Sequence, residues 1–124
     1  MSLPVARAYV SLLRFEPSLV RRNFAGLYEM VRRKPRRLRP DARFTAEQLC
    51  QAIDLACVWY WKQVLCLQRS AATVSLLREY GIEAQLVIGA QLMPFQAHAW
   101  VEVDGRAVND NSYTNEIYAV LDRC

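Results

Sequence analysis

The chain has 124 residues, 53% of them apolar and 23% charged, which is one domain's worth and excludes a disordered or collagen-like chain. No apolar run approaches the roughly 20 residues a membrane helix needs, so no membrane span is expected. The net charge of +4 hides an asymmetry: residues 1–43 hold 11 Lys/Arg against 3 Asp/Glu, and residues 44–124 hold 5 against 9.

The N-terminus sets Arg7 and Arg14 among apolar residues and shows no small-residue cleavage site. It reads as part of the fold and not as a signal peptide. Val5, Ala8, Tyr9, Leu12 and Leu13 share a helical face, with Pro4 in the first turn, where its missing N–H costs nothing. Glu16-Pro17 is expected to break this helix and start another of about four turns, with Val20, Phe24, Leu27 and Val31 on its apolar face. Residues 32–43, RRKPRRLRPDAR, carry two prolines and no apolar periodicity. That stretch reads as a linker, and its prolines argue against a DNA-reading helix.

A third helix is expected from Thr45, where Thr45 and Gln48 form a capping box and Phe44 with Leu49 a hydrophobic staple. Leu49, Ile53, Ala56 and Tyr60 line its apolar face. After Trp59-Tyr60-Trp61 a fourth helix follows, carrying Leu67, Ala71, Val74 and Leu77, and Gly81 is its left-handed stop. Cys66 falls within a turn of its N-terminus. From residue 84 the pattern changes to strands: Gln85 to Ile88, then Gly89 to Pro94 as a connection, then Gln96 to Glu102. Asp104-Gly105 is a hairpin turn before a third strand, Arg106 to Asp110. Helices followed by an antiparallel sheet make an α+β fold. The expected organisation is one domain over 1–124, with a basic helical arm and linker at 1–43 and a core at 44–124.

Four cysteines stand at 50, 57, 66 and 124, without a CxxC and with one histidine in the chain. No zinc site is expected, and no metal or organic cofactor follows from the residues. Lacking an export signal, the chain is expected in the cytoplasm with its thiols reduced. Cys50 and Cys57, seven apart, should both face the core, and Cys124 should be exposed. Trp59, Trp61 and Trp100 are expected in the core or the wall of a cleft.

Cys66 and His98 are the first pair to test for chemistry. A cysteine at a helix N-terminus faces free N–H groups and the positive end of the dipole, which favour a thiolate. Imidazole in turn needs an acceptor to fix its tautomer. A two-residue Asp104-Gly105 loop would set Asp110 opposite Ala99, on the other face from His98. A three-residue loop with a glycine bulge pairs Glu102 with Arg106 and sets Asp110 opposite His98. The opposite charges at Glu102 and Arg106 favour the second register, which makes Asp110 the best-placed carboxylate.

The runs CLQRS (66–70), LLREYGIEAQLVIGA (76–90), HAWVEVDG (98–105) and ND (109–110) closely resemble the transglutaminase-like cysteine proteases of lasso-peptide biosynthesis. The resemblance is strong over about residues 59–110 and general over the basic N-terminus. It implies a papain/transglutaminase-like fold with Cys66, His98 and Asp110 as a catalytic triad. Cys66 would attack a peptide carbonyl, His98 would protonate the leaving amine and activate water, and Asp110 would orient His98. The oxyanion would be held by the Cys66 N–H and one further donor, Gln63 or Trp61; Arg69 and Ser70 would support the helix. The implied substrate is a ribosomally made precursor peptide cut between leader and core. The implied partners are a small leader-recognition protein and, beyond it, an ATP-dependent cyclase. Two other readings remain: an acyltransferase or amidase on the same fold, and a non-catalytic module binding polyanions through its basic front. For the peptidase, Arg32, Arg33, Arg36 and Arg37 would dock the acidic side of a partner complex.

Overall fold

In the computed structural model the first helix, α1, runs unbroken from Leu3 to Val20 with Pro17 inside its last turn. The expected break at Glu16-Pro17 does not form. Pro17 withholds one amide bond near the helix end, and the burial of Leu12, Phe15 and Glu16 around it outweighs that loss. The chain turns at Arg22 instead, whose φ is +54°. Asn23 N–H bonds Ser18 O at 2.8 Å and Arg22 N–H bonds Leu19 O at 3.0 Å, the two bonds of a Schellman stop. Asn23 then caps α2 (Phe24–Arg33) by accepting from the Gly26 N–H. Arg32 and Arg33, expected in the linker, belong to this helix and pair with Glu29.

The structure describes residues 3–36, 43–92, 95–108 and 118–124. Within them α3 (Ala46–Trp59) opens on the expected Thr45/Gln48 capping box, with both reciprocal bonds made. Helix α4 (Cys66–Glu79) is buried almost all round, from Ser70 to Arg78 without interruption. It packs against α1 and α3 on one side and the sheet on the other. Gly81, at φ +81°, closes it as expected, with Ile82 N–H on Leu77 O at 2.9 Å.

The sheet has four antiparallel strands in the order β3-β2-β1-β4: β1 (Gln85–Leu92), β2 (Phe95–Val103), β3 (Arg106–Ala107) and β4 (Ala119–Arg123). β1 passes through Gly89, expected in a connection, because that residue pairs with His98 across the ladder. A Cβ at Gly89 would lie 2.5 Å from the Trp100 ring and 3.0 Å from Tyr118. Only glycine leaves room for that crossing. β4 was not foreseen; it covers the other edge of β1, and Cys124 exchanges backbone bonds with Leu86 at 2.9 and 3.0 Å. Cys124 is half-buried there, contrary to expectation.

The hairpin register also differs from the expected one. Val103 pairs with Arg106 and Glu102 with Ala107, so the loop is the two-residue Asp104-Gly105. Both residues have positive φ, +54° and +77°, which gives the primed turn whose twist suits a hairpin. The Glu102–Arg106 attraction invoked for the longer loop is absent because Glu102 is buried with other partners. Its carboxylate accepts from Trp100 Nε1 at 3.0 Å and Arg123 Nε at 3.2 Å.

Candidate active site

Cys66 is the first residue of α4, and its side chain is exposed. The residue before it, Leu65, takes the cap position but offers no side-chain acceptor. Among the described residues no side-chain cap closes the amides of the first turn at this helix end. Arg69 and Ser70 hold the helix in place: Arg69 pairs with Asp54 of α3, and Ser70 Oγ donates to Ala99 O of β2 at 3.1 Å.

Cys66 and His98 line one cavity of about 280 Å³, together with Leu19, Phe24, Leu65 and Ile88. Strand alternation puts His98, Trp100 and Glu102 on one face of β2, and Ala99 and Val101 on the face that meets α4. The imidazole therefore belongs to the other face from the one receiving α4, and the two residues share the lining of the cavity. The His98 ring stacks on Tyr118 at 5.2 Å and on Trp100 at 6.0 Å between centroids. Asp110, the third expected residue, lies outside the described residues, and the register that favoured it is not the one formed.

A second cavity, of about 470 Å³, adjoins the first through Leu19, Phe24 and Leu65 and adds Arg22, Lys62, Gln63 and Gln68. Gln63 thus borders the cleft. Trp61 is 65% exposed and lies tilted against Tyr60 under the Lys62 ammonium. Trp59 is equally exposed, so of the three tryptophans only Trp100 is in the core.

The part played by α1 and α2 in this cleft was not foreseen. Leu19 and Phe24 form one wall, so the basic front is structurally continuous with the site. Beneath it Glu16 is buried, where Tyr60 Oη donates to its Oε1 at 2.7 Å and Lys62 Nζ pairs with its Oε2. Gln68 Nε2 donates to Glu16 Oε1 at 3.4 Å and to Leu12 O at 3.0 Å. Burial alone would raise the Glu16 carboxyl, but these donors overcome it and hold the group below its ordinary value. Burial and the same carboxylate push Tyr60 up to about 12. The network ties α1 to residues 60–68, the segment that delivers Cys66. A charged residue beside a proline and a glutamine inside an apolar run were the available signals.

The remaining thiols differ from Cys66 in burial. Desolvation, aided by Asp54, pushes Cys50 up to about 11, and burial also raises Cys57 and Cys124. Among the described residues no group of three His, Cys, Asp or Glu is arranged to hold a metal. No helix there is long and apolar enough to cross a membrane.

Comparison with known proteins gives a family. The Transglutaminase-like superfamily matches residues 9–123. The microcin J25-processing protein McjB of Escherichia coli is 47% identical over 45 residues, which is 36% of this chain and 22% of that protein. The chain thus matches about a fifth of the length of this curated relative. No solved structure matches.

Proposed function

We propose that this chain, which belongs to the transglutaminase-like superfamily, is a cysteine peptidase that removes the leader from a lasso-peptide precursor. The observation carrying the reading is Cys66, exposed at an uncapped helix N-terminus and sharing a cavity with His98. Similarity to a microcin-processing protein over 45 residues supports the choice of substrate class. Cys66 gives its thiol proton to His98 and attacks the scissile carbonyl, forming a tetrahedral intermediate whose oxyanion takes the Cys66 N–H and the Gln63 side-chain amide. His98 protonates the departing amine, giving an acyl-enzyme, and then takes a proton from the water that releases it. Asp110 is assigned the orienting role beside His98. Substrate filling the cleft is assigned the closing of the Cys66–His98 contact, since such hydrogen bonds commonly tighten only in the bound state.

The leader is presented by a small recognition protein, and the freed core passes to an ATP-dependent cyclase. Cys66→Ala tests the reading. Cleavage of the precursor, followed by mass spectrometry, should vanish while circular dichroism and the melting temperature stay unchanged. Retained cleavage overturns the assignment. Products carrying an added amine would replace hydrolysis by acyl transfer.

A further inference from the structure

Helix α1 carries two apolar stripes. Ala8, Leu12 and Phe15 face the core. On the opposite side Leu3, Ala6, Val10, Leu13, Pro17 and Val20 recur at alternating intervals of three and four, the spacing of a helix–helix seam. Leu3, Val10, Leu13 and Val20 are 56%, 48%, 43% and 67% exposed. The core accounts for none of this second stripe.

Arg7, Arg14 and Arg21 follow the stripe along one border, seven residues apart and all exposed. Leu3, Ala6 and Val10 join Arg7, Arg14 and Glu79 of α4 in a surface groove of about 650 Å³. Glu79 offsets that border only in part, since one carboxylate serves both Lys34 and Arg14. Its Oε1 takes Lys34 Nζ at 3.0 Å, and Arg14 reaches it only at 3.5 Å. Arg7 lies over the Tyr80 ring at 5.3 Å, which leaves its charge in place.

We infer that this face of α1 docks one amphipathic helix of a second protein, with its apolar stripe in the groove and acidic residues at heptad spacing against the three arginines. Charge complementarity selects that occupant over a second copy of this chain. An antiparallel pair of α1 helices would set arginine border against arginine border. A parallel pair would bring the arginines to the other border, where Tyr9 and the buried, already paired Glu16 stand. A flat anionic bilayer offers no ridge to enter a groove between two helices. The inference stands apart from the peptidase reading, because the stripe faces away from the core side of α1.

The test uses the full chain and two synthetic helices of about three heptads, both with leucine at the stripe positions. One carries glutamate at the flanks and the other lysine. Fluorescence anisotropy should show binding of the glutamate helix, weakening with salt, and none of the lysine helix. Reversing the border with R7E/R14E/R21E should invert the preference, each affinity moving by about tenfold or more. Val10→Glu with Leu13→Glu should abolish binding of either helix. All five sites are exposed, so circular dichroism should be unchanged. The inference falls if the glutamate helix does not bind or if charge reversal leaves the preference intact. It also falls if sedimentation shows a dimer that V10E/L13E dissolves, or if phosphatidylserine vesicles bind and the glutamate helix does not.

Discussion

Helices α3 and α4 begin in opposite ways. Thr45 closes α3 with its hydroxyl on the Gln48 N–H, and Gln48 returns a bond to the Thr45 N–H. Leu65 begins α4 with nothing to offer. A Ser, Thr, Asp or Asn at that position would stabilise the helix by about 0.5–2 kcal/mol. The difference teaches where stability has been left out: at the end that carries the exposed thiol, where open amides are what an oxyanion needs. A supporting structure made elsewhere keeps that end in place, through Glu16, Tyr60 and Gln68 beneath it.

Thiol reactivity gives the widest contrast. Cys50, buried on α3 and raised from 9.0 to about 11, should alkylate at neutral pH about a hundredfold more slowly than an ordinary thiol. Iodoacetamide labelling with peptide mapping should find Cys66 modified first; equal labelling of Cys50 and Cys66 would remove the contrast. A smaller effect is expected from Leu65→Ser, which gives α4 the acceptor it lacks. Precursor cleavage should fall about tenfold, mainly in kcat, as the new hydroxyl competes for first-turn amides. Denaturant unfolding should show unchanged or higher stability, and a variant both more stable and fully active would break the argument. Thr45→Ala is the mirror case and the mildest. It should cost about 1 kcal/mol of stability and leave kcat/KM alone, and a loss of activity at unchanged stability would sink the distinction.

Local chemistry made much of this legible in advance. The Thr45/Gln48 box, the start of α4 at Cys66 and its stop at Gly81 each depend on a few neighbouring residues, and each formed as expected. Cys66 and His98, singled out as the first pair to test, line one cavity. What escaped prediction depends on partners distant in the chain. Pro17 is tolerated because of buried neighbours, and Glu102, expected to attract Arg106, gives its charge to Arg123 on an unforeseen strand. Arg78 is the fullest example. Its guanidinium donates to the carbonyls of Lys34 at 3.2 Å and of Ala84 and Cys124 at 2.9 Å each, and also to that of Val31. No spacing rule within residues 66–79 would announce such a hub. The basic arm, expected within the one domain, also supplies Leu19 and Phe24 to the wall of the cleft.

Residues 118–124 bring three distant contacts together in one short stretch. Tyr118 lies on the His98 ring, Arg123 on Glu102, and the carbonyl of Cys124 on Arg78. Helix α4 packs on α1, α3 and β2, and Arg78 is its link to Cys124. Loosening this one strand would therefore disturb the ring beside the histidine, a buried acid and a buried cation together. A strand of five residues thus couples the two faces of the sheet, the His98 side and the α4 side.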